Sequence, residues 1–222
     1  FLENIEIQNS LLKLALKKKI KRTIFLGTSC IYPKFAKTPI EEDSLLTGKL
    51  EKTNQSYAIA KIAGIKLSEA LYEDYNLDIV CLMPTNVYGP NDRFDKLNGH
   101  VIPAMITKFI EAKKRKSKKI KLLGTGKPIR EFIHSEDLAD AIVKCLTISK
   151  KIMKTKFNNK LPIINVGTGE TISIRNLSKL ISNLVNFRGK ILFDKNSPDG
   201  TFKKNLNSDK IYSLGWRAKI KL

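Results

Sequence analysis

Cysteine and histidine are scarce in this sequence, and long apolar runs are absent. The 222 residues include 3 Cys and 2 His. Cys30, Cys81 and Cys145 are odd in number and show no CxxC spacing, so the sequence predicts neither a disulfide framework nor a metal site. No segment approaches the roughly 18 apolar residues of a membrane-spanning helix, and we expect no secretion because the first residues show no charged-then-apolar signal-peptide pattern. We therefore expect no membrane partner and a cytoplasmic location.

Acidic residues are also few: 21 Asp and Glu stand against 41 Lys and Arg, a net charge of +20. Arg supplies only seven of the basic residues, although phosphate and base recognition favour Arg. The basic residues are scattered and are not interleaved with aromatic residues. We therefore predict a Lys-rich solvated surface that attracts an anionic small molecule, with no nucleic acid bound. The alternative is a basic nucleic-acid-binding module without catalysis, whose binding would weaken steeply with salt.

Short apolar runs alternate with helical patterns, which is typical of an α/β fold. The runs predict strands at 23–26, 78–83, 120–123, 163–166 and 191–193. Apolar spacing predicts helices at 9–19, 56–75, 100–112, 135–146 and 174–185, with a short one near 208–214. The like-charged run 113–119 predicts an exposed loop. Cys81 and Cys145 fall on apolar faces and are expected in the core.

Tyr57 and Lys61 lie four residues apart in a predicted helix, which places them on one face. A neighbouring ammonium favours the phenolate, so Lys61 is expected to lower the Tyr57 pKa from about 10. Chance alone yields this spacing in a chain so rich in Lys, and the pair by itself indicates nothing. However, Thr28 and Cys30 follow the first predicted strand, and ligands of parallel sheets bind at the carboxyl ends of strands.

Several longer motifs follow one another in order between about Ile7 and the end of the chain. They are residues 27–33 (GTSCIYP), 53–67 (TNQSYAIAKIAGIKL), 83–92 (MPTNVYGPND), 100–104 (HVIPA), 130–132 (REF), 165–169 (NVGTG) and 198–201 (PDGT). These segments resemble the GDP-L-fucose synthases, a family of the extended short-chain dehydrogenase/reductase superfamily.

The resemblance implies a fold and an extent. The fold is a Rossmann-type doubly wound parallel sheet with a smaller α/β substrate-binding portion. The implied division assigns 1–85 and 136–170 to a partial NADP-binding domain, and 86–135 and 171–222 to the substrate-binding portion. The Gly-rich dinucleotide fingerprint, the first strands and the C-terminal end of the family are not in this sequence. We therefore expect a fragment that is poorly soluble by itself, from an enzyme that forms homodimers.

The implied activity is bifunctional: 3,5-epimerisation and NADPH-dependent 4-reduction of GDP-4-keto-6-deoxy-D-mannose to GDP-L-fucose. Cys30 and His100 match the family's epimerisation pair. Tyr57 matches the proton donor to the C4 oxygen, Lys61 the residue that holds the nicotinamide ribose, and Thr28 a hydroxyl that contacts the reacting oxygen. The alternative is another NAD(P)-dependent nucleotide-sugar epimerase or dehydratase. A UDP-sugar 4-epimerase would not need the Cys30–His100 pair, because its chemistry is confined to C4.

The resemblance also implies binding residues for NADP(H) and for a GDP-sugar. The residues expected to contact the cofactor are Leu26, Gly27, Thr28, Ser29, Lys61, Pro84, Thr85, Asn86, Val87 and His100. Those expected to contact the substrate are Lys108, Leu123, Arg130 and Asp199. The family usually has Ser at Thr28, Arg at Lys108 and Trp at Leu123. The affinity for the substrate is therefore expected to differ from that of the family. His134 is expected to be structural, and the two Gly-Thr-Gly segments to be tight turns.

Overall fold

The computed structural model describes residues 1–96, 99–197 and 199–222, so Pro198 of the 198–201 segment lies outside the described residues. A three-stranded parallel sheet contains β1 (Thr23–Leu26), β2 (Ile79–Pro84) and β6 (Ile163–Val166), in the order β1-β2-β6. All six residues of β2 are buried, as expected for the central strand of a parallel sheet covered on both faces. The three strands confirm the predicted strands at 23–26, 78–83 and 163–166.

Helices cover both faces of this sheet. On one face lie α1 (Leu2–Lys17) and α2 (Gln55–Tyr75), which share an apolar cluster with β1 and β2. Gly64 of α2 permits this contact, because a Cβ there would lie 2.4 Å from the ring of Phe25. On the other face lie α4 (Ser135–Thr147) and the short α7 (Asp209–Ser213). This doubly wound arrangement is the predicted Rossmann-type fold.

A smaller α/β portion adjoins the sheet at its carboxyl edge. It contains α3 (Val101–Lys114) and α6 (Ile174–Leu184), which pack around Phe109 with the parallel pair β4 (Lys119–Leu123) and β8 (Lys190–Asp194). The remaining strands form one further sheet, made of β3 (Asn86–Tyr88), β5 (Ile129–His134), β7 (Thr171–Ser173) and β9 (Lys203–Lys204). Strand β9 pairs parallel with β5.

Some predicted elements differ from the structure. The predicted loop 113–119 is wrong at both ends, since α3 continues to Lys114 and β4 begins at Lys119. Helix α5 (Lys150–Lys156) and strands β3, β5, β7 and β9 have no predicted counterpart, and α1 begins at Leu2 rather than at the predicted residue 9. Strand β5 is hidden in the sequence because it carries the buried carboxylate of Glu131, which accepts backbone N–H groups of Gly169 and Leu206 at 2.8 Å each.

A buried ion pair ties the sheet to the end of α4. The Arg22 guanidinium donates to Asp78 Oδ2 at 2.8 and 3.0 Å and to the carbonyls of Cys145 and Ile148. The two side chains are only 6% and 10% exposed. Cys81 and Cys145 are fully buried, which confirms their predicted place in the core. In the described residues, no helix combines the length and apolar composition that crossing a bilayer requires.

Candidate active site

A cavity of about 510 Å³ opens where β1 and β2 end. It is lined by every residue predicted to be catalytic and every residue predicted to bind the cofactor: Leu26, Gly27, Thr28, Ser29, Cys30, Tyr57, Lys61, Pro84, Thr85, Asn86, Val87 and His100. Because strands of a parallel sheet end at a common edge, residues far apart in sequence meet here. The structure thus brings these residues together, and their individual roles stay predictions.

The segment after β1 positions Thr28 and Cys30. The chain forms a 3-10 turn over Ser29–Ile31, and the Thr28 hydroxyl accepts the backbone N–H of Cys30 at 3.2 Å. This N-cap contact fixes the backbone from which the Cys30 side chain projects. Cys30 itself is partly exposed to the cavity, in contrast to the other two cysteines.

Two polar side chains contact the Cys30 sulfur, and sequence reasoning missed both. The Asn54 amide nitrogen lies 3.2 Å from Sγ and the Lys204 ammonium 3.4 Å from it. Asn54 lies in the 53–67 segment, which also contains the predicted site residues Tyr57 and Lys61. Lys204 gives no comparable signal, because the strand that carries it is two residues long and shows no periodicity.

The pKa of Tyr57 is raised in the structure, opposite to the expectation. Burial is the main cause, and the negative charge of Cys30 adds to it, while a hydrogen bond with Thr28 partly offsets both. The Lys61 ammonium donates to the Leu26 carbonyl at 2.9 Å and lies over the Tyr57 ring, 5.9 Å from its centroid, which is within cation–π distance. Burial lowers the pKa of Lys61. The raised pKa keeps the Tyr57 phenol protonated at neutral pH.

His100 occupies the N-cap position of α3 without forming a side-chain cap. Its side chain is 79% exposed, and Nδ1 lies 3.4 Å from Asp92 Oδ1. The other histidine, His134, accepts the N–H of Glu136 at the start of α4 and packs edge-on against Tyr88. These contacts agree with a structural His134. Within the described ranges, no group of three His, Cys, Asp or Glu side chains is arranged to hold a metal ion.

A second cavity, of about 300 Å³, contains all four residues predicted to bind the substrate. Asp199 accepts the N–H of Thr125 at 2.9 Å and its hydroxyl at 2.5 Å, and these hydrogen bonds lower the pKa of Asp199. Arg130 lines this cavity and also a small one beside Cys30, so it connects the two regions. Leu123 is 67% exposed at the rim, and Lys108 completes the predicted set.

The residues at the edge of the first cavity suit a nicotinamide nucleotide, the cofactor implied by the sequence resemblance. Leu26 and Val87 offer apolar surface for a flat ring, and Lys61 offers an ammonium for ribose hydroxyls. Thr85 and Asn86 are held in place, since both side chains donate to the Glu131 carbonyl, at 3.0 and 2.7 Å.

Comparison with known proteins gives a consistent result. The model of the NAD dependent epimerase/dehydratase family matches residues 1–167. GDP-L-fucose synthase 1 of Arabidopsis thaliana is 45% identical over 219 residues, which are 99% of this chain and 65% of that protein. The chain therefore spans slightly less than two thirds of this relative.

Two solved structures extend the comparison. A GDP-6-OMe-4-keto-L-xylo-heptose reductase from Campylobacter jejuni has a TM-score of 0.90 at 34% identity, covering 99% of this chain and 72% of that one. A GDP-L-fucose synthetase from Naegleria fowleri, bound to NADP, has a TM-score of 0.86 at 26% identity, covering 99% and 68%.

Proposed function

The chain belongs to the NAD dependent epimerase/dehydratase family, and on that premise we propose that the full-length protein converts GDP-4-keto-6-deoxy-D-mannose to GDP-L-fucose. The reaction inverts C3 and C5 of the sugar and reduces the C4 ketone. One observation carries the proposal: Cys30, His100 and Tyr57 line a single cavity. The similarity to the Arabidopsis GDP-L-fucose synthase supports the choice of substrate.

The proposed cofactor is NADP(H), held by the cavity residues at the ends of β1 and β2 and by Lys61. The NADP-bound Naegleria structure supports this choice. When bound, NADPH supplies the hydride that reduces C4. The burial of Lys61, which lowers its pKa, leaves the ammonium poorly solvated and so favours its contact with ribose hydroxyls.

The epimerisation requires a base and an acid on opposite faces of the sugar. The C4 ketone acidifies the protons on C3 and C5, so the Cys30 thiolate takes a proton and the electron pair moves onto the C4 oxygen. His100 returns a proton to the same carbon from the other face, which inverts it. Cysteine and histidine suit these steps because both titrate within reach of neutral pH.

The reduction requires a proton for the C4 oxygen, and Tyr57 is the proposed donor. Burial and the charge of Cys30 raise the pKa of Tyr57, so the phenol stays protonated at neutral pH. The hydroxyl of Thr28 hydrogen-bonds the phenol and stands beside the position of the reacting oxygen. The two halves of the reaction thus share one cavity but use different groups.

The GDP moiety is proposed to occupy the second cavity, with Lys108, Leu123, Arg130 and Asp199 around it. The Arg130 guanidinium presents the fork that phosphate oxygens accept. This placement supports the division into an NADP-binding portion (1–85 and 136–170) and a substrate-binding portion (86–135 and 171–222). Residues near the end of the chain contact the NADP-binding portion, since Trp216 packs in the apolar cluster that contains Val80 of β2.

We also propose that the protein acts as a homodimer in the cytoplasm. Helix α1 exposes Ile7, Leu11 and Leu14 by 50 to 60% each, and their spacing of four and three residues forms an apolar stripe. A reduced Cys30 fits the cytoplasmic redox state. Replacing Leu11 with Lys should shift the full-length protein from dimer to monomer in sedimentation experiments; a monomeric wild type would contradict the assembly.

The activity is tested with the full-length protein by following NADPH oxidation in the presence of GDP-4-keto-6-deoxy-D-mannose, and by comparing the product with authentic GDP-L-fucose. Cys30→Ser should abolish inversion while retaining much of the reduction of a pre-inverted 4-keto sugar. Tyr57→Phe should show the opposite pattern. Absence of NADPH oxidation, together with tight and salt-sensitive binding to DNA or RNA, would favour the nucleic-acid-binding alternative instead.

A further inference from the structure

We propose that Lys204 is a positioning residue for Cys30: its ammonium stabilises the Cys30 thiolate and holds the sulfur at the boundary between the active-site cavity and the small cavity that the two residues share. This inference rests on the proposed function, in which Cys30 is the base. The ammonium lies 3.4 Å from Sγ, and the Asn54 amide donates to the same sulfur at 3.2 Å. Since an ammonium can only donate, the sulfur is the acceptor in the Lys204 contact, and a thiolate accepts far more strongly than a thiol.

The backbone around Lys204 fixes the direction of its side chain. Lys204 pairs with Arg130 of β5. Two residues later, Leu206 donates its N–H to the buried Glu131 carboxylate. Side chains alternate along a strand, so Lys203 is exposed whereas Lys204 is half-buried and faces a polar cavity of about 170 Å³ that it shares with Cys30. Lys203 therefore provides a matched control, with the same charge on the opposite face.

Other charged and titratable groups also face Cys30. Lys34 and Glu51 line the small cavity, but they pair with each other at 3.0 Å. Arg130 interacts with the charges of Asp199, Cys30 and Glu51, and Tyr32 also lines the small cavity. Tyr57, on α2, interacts with the charge of Cys30 from the other side. Among the ion pairs of the described residues none involves Lys204, so its charge is not already neutralised by a carboxylate.

The remaining two cysteines provide internal references. Burial raises the pKa of Cys81 to about 12 and that of Cys145 to about 11, and both side chains are fully buried. Neither thiol should react readily with a polar alkylating agent in the folded protein, because each has a raised pKa and is buried out of reach of the reagent. Modification of the folded chain therefore reports Cys30.

The test is the pH dependence of Cys30 alkylation by iodoacetamide in the full-length protein without substrate, measured by mass spectrometry of the modified peptide. The thiolate sulfur forms a bond to the reagent carbon and iodide leaves, so the rate follows the thiolate fraction. In Lys204→Met, the pH of half-maximal rate should rise by about one unit, because an opposite charge at this distance typically shifts a titration by that order. Lys203→Met should match the wild type, and Lys204→Arg should retain most of the effect.

An unchanged alkylation profile in Lys204→Met would overturn the inference. Thermal melting of the Lys203→Met and Lys204→Met variants controls for folding, and if Lys204→Met does not fold, Lys204→Gln removes the same charge with a polar head and should give the same shift. The outcome is separable from that of the proposed function. A shifted profile without turnover of the 4-keto sugar would refute the function alone, and turnover with an unshifted profile would refute the role of Lys204 alone.

Discussion

The active-site cavity has two unlike walls. The strand wall, formed by Thr28–Cys30, Tyr57 and Lys61, is held by hydrogen bonds of 2.9 to 3.4 Å to neighbouring backbone and side chains. The loop wall, formed by Gly99 and His100, carries an imidazole that is 79% exposed and lies 3.4 Å from Asp92. The two groups proposed to act on the same carbons thus differ in their surroundings, and we expect the base to be fixed before substrate arrives and the acid to be positioned when substrate binds.

The first and largest expected effect concerns proton exchange at C3 and C5. Cys30→Ala should slow solvent deuterium incorporation by a factor of about a thousand, and His100→Gln by about a hundred, within the range typical of general acid–base groups. The fixed thiolate cannot be replaced by water, whereas water reaches the exposed position of His100. NMR of the sugar in the presence of full-length protein and NADP⁺ measures both rates. Equal losses would remove the distinction between the walls.

The second prediction concerns stability. Arg22→Met leaves the nearly buried Asp78 carboxylate uncompensated at the amino ends of β1 and β2, the strands that lead to the strand wall, so the free energy of unfolding should fall by about 3–5 kcal/mol. His100→Gln should change it by less than about 0.5 kcal/mol, because the loop wall is exposed. Denaturant unfolding measures both values. Lys66→Met, which breaks the exposed ion pair with Glu69, is the control, expected to cost about 0–1 kcal/mol. A small loss in Arg22→Met would show that the ion pair does not stabilise the sheet whose strands end at the strand wall.

The third prediction concerns the pH dependence of reduction. The Tyr57 pKa is raised by burial and by the charge of Cys30, so the protonated donor persists above the usual tyrosine range. Cys30→Ala removes the second cause and lowers the Tyr57 pKa, so the alkaline loss of activity should begin at lower pH than in the wild type. The measurement is the pH profile of NADPH oxidation with a pre-inverted 4-keto sugar. His100→Gln should leave the profile in place; a profile unmoved by Cys30→Ala would contradict the coupling within the strand wall.

The smallest expected effect concerns the second cavity, which is proposed to hold the GDP moiety. Its rim is exposed, as the loop wall is. Leu123→Trp adds an aromatic surface at the rim of the cavity proposed for the GDP moiety, where stacking on the guanine would be worth about 0.5–1.5 kcal/mol. The KM for the GDP-sugar should fall several-fold with kcat unchanged. Leu192→Trp, at a partly exposed position of β8, is the matched control and should leave KM as it is. An unchanged KM in Leu123→Trp would show that the guanine of the substrate does not lie beside Leu123.

The strand wall was more predictable from sequence than the contacts that tune it. Strands β1, β2 and β6 follow from continuous apolar runs, and their common edge follows from parallel pairing, so the meeting of Thr28, Cys30 and Tyr57 could be expected. The direction of the Tyr57 pKa shift could not be predicted, because it depends on the burial of the phenol and on its proximity to Cys30 in the folded chain.

The partners of Cys30 show the same limit. Lys204 lies 174 residues from Cys30 on a strand too short to show a pattern, and one more lysine carries no signal in a chain so rich in them. Strand β5, which places the neighbouring Arg130, is obscured by the charged pair Arg130-Glu131 at its centre. A buried carboxylate satisfied by backbone N–H groups is visible only once the fold brings those groups to it.

The most direct test of a shared cavity is a single turnover of GDP-4-keto-6-deoxy-D-mannose with NADPH and the full-length protein in D₂O, with the product analysed by NMR. If the thiol, the imidazole and the phenol act on one sugar, the product carries deuterium at C3 and C5 and protium at C4. A reduced product with protium at C3 and C5 would show a simple C4 reductase and contradict the account.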